Sequence, residues 1–235
     1  MATVHSRKTR AHVGQVAMAC HVRQLGIDHT VDMTDVTTFC DNSFTYVEGV
    51  EGGSFSFGGF VDSVPADLFT PLEDLRQAGV DSVVSVAPAG YAVGQQVWLA
   101  EAKLSELGHA STVGDAATFT LGMMTEGRPD LGVSLHDVIA AETAADDEAA
   151  HDGAASSSNG GAAVVHCSAF SGTDITVKIQ HSADNSTWAD LLTFTQLTAV
   201  GAEHTTVTGT VNRYLRASWA GTFTSATFAV AFARR

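Results

Sequence analysis

From Thr173 to Trp219 the chain alternates apolar and polar residues so regularly that a β architecture is the reading that fits. Ile175, Val177 and Ile179 alternate with Thr176, Lys178 and Gln180, the period of a strand with one face in a core and one in water. Ser182 to Ser186 then supplies Asp184 and Asn185, which tolerate tight-turn geometry. An apolar run opens at Trp188 and continues through Leu191, Leu192 and Phe194; a third spans Thr205 to Val211 and a fourth Tyr214 to Trp219. In the fourth, Leu215, Ala217 and Trp219 face one way while Tyr214, Arg216 and Ser218 face the other. Phe228, Val230 and Phe232, spaced by alanines, make a last strand. The pattern predicts an antiparallel meander or small sandwich.

A second informative stretch is Val31–Asp62. Val36, Phe39, Phe44, Tyr46 and Val47 precede Gly49-Val50-Glu51-Gly52-Gly53, after which Phe55 and Phe57 alternate with serine. A Gly-Gly step between two such runs is a hairpin signal and places the turn at Gly49–Gly53, with Glu48 and Glu51 at the tip. The hairpin is also acidic, through Asp32, Asp35, Asp41, Glu48 and Glu51. Apolar and acidic together suit an arm that packs on a neighbour, with Val36, Phe39, Phe44, Tyr46, Val47, Glu48, Val50, Glu51, Phe55 and Phe57 as candidate contacts. Composition alone slightly favours the alternative, an ordinary core hairpin.

Pro65 to Ala78 reads as a helix: Leu68, Leu72 and Leu75 form one stripe, Pro71 sits in the first turn with Thr70 as cap, and Gly79 ends it. Short strands are expected around Gly14 and Gly26, and further strands over 80–87, 92–102, 116–124 and 132–139. Composition then changes. Glu142 to Ala163 is alanine-rich and acidic, then rich in serine and glycine, which predicts a linker or long exposed loop. The organisation expected is a mainly β domain over 1–143, a barrel or sandwich with a hairpin arm at 31–62 and a flanking helix at 65–78. A linker at 144–162 and a C-terminal antiparallel sandwich-like module at 163–235 complete it.

No chemistry is written in the chain. The formal charge is −14, with 12 Lys and Arg against 26 Asp and Glu, which argues against binding nucleic acid by neutralising phosphates. The start, MATVHSRKTR, has no apolar core of a secretory signal, and no run is long and apolar enough to cross a membrane. Cys20, Cys40 and Cys167 are far apart with no CxxC, and read as reduced thiols. Ten histidines, His166, His181 and His204 among them, lack ligand spacing, and Asp146-Asp147-Glu148 lacks the spacing of a calcium loop. No nucleophile elbow, zinc-protease or phosphate-loop motif stands in a suitable context. The expectation is therefore a non-enzyme with no catalytic residue, cofactor or metal.

At Asp35 to Asp62 the sequence resembles the major tail tube proteins of long-tailed, non-contractile bacteriophages and related viruses. Asp35, Thr37, Thr38, Phe39, Asp41, Gly49, Ser54, Ser56, Gly59, Phe60 and Asp62 carry the match; Cys40 stands where that family more often has glycine. KIQHSADNSTWADLLTFTQLTA and VTGTVNRYLRASW are similar to the C-terminal part of a subset of these proteins. The resemblance implies a virion tail protein, assembled in the host cytoplasm into stacked, commonly hexameric rings. Their tube conducts DNA through its lumen without binding it specifically. Its implied partners are further copies of itself and the tape-measure, terminator and distal tail proteins. The acidic balance agrees, since such a wall must not adsorb DNA.

A reading of another class rests on Ser182–Trp188, which resembles the strand-turn-Trp step of discoidin-like carbohydrate-binding sandwiches. On that reading Trp188, Tyr214 and Trp219 are surface aromatics that stack on sugars, and the protein decorates a virion surface.

Overall fold

The computed structural model describes residues 6–18, 21–61, 68–137 and 140–235, and is mostly antiparallel β. A 3₁₀ turn at Ser6–Lys8 leads into β1 (Arg10–Val13) and β2 (Val16–Ala17), a tight hairpin. β3 (Val22–Asp35) and β4 (Tyr46–Phe60) form a much longer one. After α1 (Phe69–Ala78) come β5 (Ser82–Ala87), β6 (Gln96–Ala110), β7 (Thr118–Thr125) and β8 (Asp130–His136). β9 (Asp146–Asp147) and β10 (His151–Asp152) are short; β11 (Gly161–Ser182), β12 (Ala189–Thr193), β13 (Gly201–Val207) and β14 (Tyr214–Arg234) complete the chain.

β6 joins two sheets of the N-terminal half. Its first residues pair with β5 and β8, and from Ala102 onward it pairs with β7 across an irregularity at Leu104–Glu106. One sheet therefore runs β2-β1-β5-β6 and the other β3-β4-β7-β6. Their facing side chains, among them Val13, Phe55, Phe57, Val84, Val86, Phe119, Leu121 and Met123, form one core. α1 closes it with Leu72, preceded by the buried Leu68, while Leu75 packs at its margin. Burying a side chain of this size contributes about 1.5–3 kcal/mol, which makes the Phe55–Phe57 alternation a strong determinant of register.

In the C-terminal half β11 and β14 pair along their whole length, from Gly161↔Arg234 to Ser182↔Tyr214. Bulges between Cys167 and Asp174 let this ribbon bend, so that β13 and β8 extend it at one end and β12, β10 and β9 at the other. Ile175, Val177 and Ile179 are buried beside Leu215, Ala217 and Trp219, as their alternation requires.

The two halves share structure. Val230↔His136 and Phe232↔Val133 carry the sheet across, and a third core packs Val97 and Leu99 with Ala162, Val164, Ala229 and Ala231. A buried polar chain crosses the same seam. His166 Nδ1 lies 2.7 Å from the Gly14 carbonyl, so it donates there and its Nε2 accepts from Ser85 Oγ at 2.8 Å. The Ser85 hydroxyl then accepts from Tyr91 Oη, which accepts in turn from His12 Nδ1 at 3.2 Å.

Several elements differ from the sequence reading. Gly26 lies inside β3, β6 continues to Ala110, and the two runs read at the C-terminus are the single strand β14. α1 begins at Phe69 after an N-cap position at Leu68 with no side-chain cap bond, so Thr70 lies within the helix; the three positions before Leu68 fall outside the described residues. Gly79 does end it, at φ 64°. The segment Glu142–Ala163, expected to be a linker or a long exposed loop, is largely exposed over 142–159 but runs along β14: Glu142 pairs with Ala226, Asp146–Asp147 with Trp219–Ser218, and His151–Asp152 with Leu215–Tyr214. Backbone pairing, which composition does not reveal, fixes it there.

Candidate subunit-interface arm

The outer half of the β3–β4 hairpin is the feature that stands apart from the cores. From Ser54 to Phe60, β4 has neighbours on both sides, β3 and β7. The β4–β7 pairing ends at Ser54, and beyond it, among the described residues, β3 and β4 pair only with each other, to Asp35↔Tyr46. Burial changes at the same point: Gly53, Phe55 and Phe57 are buried, whereas every residue from Asp32 to Glu51 is exposed. Met33, Val36, Phe39, Tyr46 and Val47 are among them, with Phe44 74% and Val50 83% accessible. The Phe44 and Tyr46 rings stack at 6.3 Å. A two-stranded ribbon is marginal in water on its own, and this one exposes apolar side chains along its length.

The turn lies at 36–45, not at Gly49–Gly53. No glycine or proline shapes it; side chains do. Asp35 Oδ1 accepts from the Thr37 amide at 2.9 Å and from its hydroxyl, and Thr37 Oγ1 accepts from the Thr45 amide at 2.9 Å. Asp41 Oδ2 accepts from the Thr38 amide at 2.7 Å and from its hydroxyl at 2.9 Å. These bonds favour the ionised carboxylates and lower both pKa values, for Asp35 chiefly through the Thr37 hydroxyl and for Asp41 chiefly through the Thr38 amide. The signal in the sequence is thus the Asp-x-Thr and Thr-x-x-Asp spacing.

Gly52 and Gly53 sit inside β4, opposite Thr30 and His29. A β-carbon on Gly53 would stand 2.6 Å from Pro129 Cδ and 2.9 Å from the Asp28 carbonyl, so glycine marks a close approach here. Further out, a register shift between Val31 and Met33 sets Asp32 against Gly49, a bulge that bends the arm.

Of the residues read as candidate contacts, Val36, Phe39, Phe44, Tyr46, Val47, Glu48 and Val50 lie on the exposed arm. Glu51 lies lower, 3.9 Å from His29 and 4.0 Å from Arg128, and not at a tip. Phe55 and Phe57 belong to the core, because that part of β4 lies between β3 and β7 in a sheet whose inner face packs on Val13, Val84, Val86 and Leu72. Trp219 is not a surface aromatic either: it is 4% exposed, its indole donates to the Ala144 carbonyl at 2.9 Å, and it packs on His136 and Phe228. Trp188 and Tyr214 are half-buried, each with one ring face under a guanidinium, Arg216 at 4.4 Å and Arg213 at 4.9 Å.

One serine–histidine pair, Ser85–His166, escaped the sequence reading because 81 positions separate the two. Both residues are wholly buried, and the ring's other nitrogen meets a backbone carbonyl, so the pair braces the seam and faces no substrate. Among the described residues no group of three or more His, Cys, Asp or Glu side chains is arranged to hold a metal, and no helix is long and apolar enough to cross a membrane. Cys40 is exposed on the arm, Cys167 is buried, and Cys20 lies outside the described residues.

No family model matches the chain, and no curated protein matches it. Among solved structures it is similar to a chain of the virion of a native gene transfer agent particle (14% identity, 55% of this chain and 98% of that chain, TM-score 0.45). It is likewise similar to the SPP1 tail tube (11% identity, 54% and 78%, TM-score 0.44). Over nearly its whole length it is similar to the SPP1 Dit protein, described as a hub of the adsorption apparatus (11% identity, 96% and 98%, TM-score 0.37).

Proposed function

We propose that this chain is a structural subunit of a virion tail tube, whose copies assemble into stacked rings, hexameric as the resemblance of Asp35–Asp62 implies. The rings form a channel for DNA in the tail of a long-tailed virus, meeting the tape-measure, terminator and distal tail proteins at its interior and ends. The observation that carries this reading is the arm. Asp32 to Glu51 exposes large apolar side chains on a ribbon that no other strand among the described residues covers. Such a ribbon is stabilised when a neighbour covers it or adds strands. Repeated around an axis the contact closes a ring, and repeated along the axis it lengthens a tube. The formal charge of −14 supports the same reading, because an acidic wall repels the phosphate backbone.

The test is electron microscopy of the concentrated protein beside a variant in which residues 36–45 are replaced by Asn-Gly. Native protein is expected to form rings or tubes. The variant is expected to keep its β circular dichroism and sediment as a monomer. Tubes formed equally well without the tip would remove the arm from assembly.

A further inference from the structure

The described residues include one cavity where cations gather. Arg7, Lys8 and Arg10 line a space of about 580 Å³ beside Ala89, Ala92 and Asp137, at the end of β1 and the turn that leaves β5. That volume lies within the range of pockets that enclose a ligand group. The concentration of charge is unusual for this chain, since three of its 12 lysines and arginines fall within four positions. Lys8 and Arg10 form no ion pair among the described residues; Arg10 donates instead to the carbonyls of Arg7, at 3.2 Å, and Thr9, at 3.1 Å. By contrast Arg128, Lys178, Arg213, Arg216 and Arg235 each meet a carboxylate. With three cations against the one carboxylate of Asp137 the lining is net basic, Lys8 and Arg10 supply its unpaired charge, and Ala89 and Ala92 give it apolar walls.

The arm has the complementary chemistry. Residues 31–50 contain Asp32, Asp35, Asp41 and Glu48 and no lysine, arginine or histidine. Asp35 and Asp41 are committed to the tip loop, whereas Asp32 and Glu48 have no partner among the described residues. Phe39, wholly exposed, belongs to the tip loop, and Asp32 and Glu48 lie lower on the same ribbon, on β3 and β4.

We infer that the acidic arm of one copy docks at the Arg7–Lys8–Arg10 cavity of the next, with Phe39 against the alanine walls and Asp32 and Glu48 facing Lys8 and Arg10. The inference rests on the assembly reading above and names the surface that receives the arm. Two different patches meet, so the contact is head-to-tail and propagates. Exposed charge pairs weaken as salt rises, and assembly driven by this contact weakens with them.

The experiment compares native protein with K8E/R10E, D32K/E48K and all four substitutions together, at low salt, by sedimentation velocity and negative-stain microscopy. Each two-site variant is expected to lose at least ten-fold in assembled fraction while keeping its circular dichroism, and the four-site variant to regain assembly by the reversed attraction. K8E/R10E assembling like native protein, while D32K/E48K does not, would overturn the cavity as receptor and leave the arm's role standing. Native protein that never assembles would overturn both. A second route does not depend on charge reversal. In A89C, mild oxidation is expected to link Cys40 of one copy to the thiol introduced in the cavity wall of the next, giving a ladder on denaturing gels that A89C/C40S lacks. A89C that assembles without such a ladder overturns the inference.

Discussion

His166 Nε2 accepts a 2.8 Å hydrogen bond from Ser85 Oγ, and this bond orders a buried chain that runs from His12 through Tyr91 and Ser85 to the Gly14 carbonyl. Each donor in it has one acceptor. His166 must be neutral, because a proton on Nε2 would remove the acceptor that Ser85 uses. Burial pushes the His166 pKa down to about 4, and burial followed by the nearby His166 lowers that of His12.

A pH dependence of stability follows. In the unfolded chain these histidines take up protons near pH 6.5, and in the folded chain only at much lower pH, so the unfolded state binds more protons in between. Stability is fully present above about pH 6.5 and falls as pH drops towards about 4, by about 3 kcal/mol for His166. Urea denaturation at pH 7.5 and 4.5 is expected to show a smaller midpoint at the lower pH. H166Q, less stable at neutral pH, is expected to show a smaller difference between the two. An equal difference in both proteins would place the titration elsewhere.

The two adjacent glycines of β4 are expected to respond unequally to alanine. At Gly52 the added carbon would meet only Thr30 Oγ1, at 3.8 Å, ordinary contact. At Gly53 it would collide with the Pro129 ring and the Asp28 carbonyl. G53A is expected to lower stability by about 1–3 kcal/mol, the usual cost of overpacking, and G52A by less than about 0.5 kcal/mol. Equal thermal shifts in the two variants would contradict this placement of Pro129.

Alternation made the strands legible, and it made Phe55 and Phe57 misleading for the same reason. A period of two says that one face is covered but not whether the cover is the facing layer of β1 and β5 of the same chain or a layer of another. Gly52-Gly53 carried a second ambiguity, since paired glycines mark both turns and close backbone approach. The true turn, built by Asp35, Thr37, Thr38 and Asp41, has neither glycine nor proline and reads as polar strand end. The His12–Tyr91–Ser85–His166 chain was out of reach because its members meet only after β1, β5 and β11 assemble. Glu142–Gly161 misled because its partners lie in β14, more than fifty residues away.

The thiols are expected to react in a fixed order. Cys40 is exposed on the arm, whereas Cys167 is buried and its thiol is pushed up to about 11, chiefly by burial. In a C20S background at pH 8, a thiol reagent is expected to modify Cys40 within minutes and Cys167 only at the rate of unfolding. Mass spectrometry of timed samples reads both. Rapid labelling of Cys167 would mean that the C-terminal core opens more freely than its packing implies.

Limited proteolysis separates two views of Glu142–Gly161. As a linker it would be the first segment cut. As the structure has it, Glu142 and Ala226 exchange backbone hydrogen bonds at 2.8 and 2.9 Å, and the Glu148 amide donates to Ala217 at 2.9 Å. Glu148 also meets His136 Nδ1 at 2.8 Å, and Arg213 forks onto both oxygens of Asp152 at 2.6 Å. A protease must draw out an extended stretch of chain, so each of these bonds must open first. Among the described residues, positions 36–45 have no such ties to the cores, only those within the loop. A protease of broad specificity is therefore expected to cut the monomer first within 36–45 and to leave 142–161 intact. R213A, which removes the fork on Asp152, is expected to speed cleavage near Asp152 several-fold without changing the rate at the arm. First cleavage of the native chain within 149–161 would show that β9 and β10 open readily and that the segment behaves as a linker.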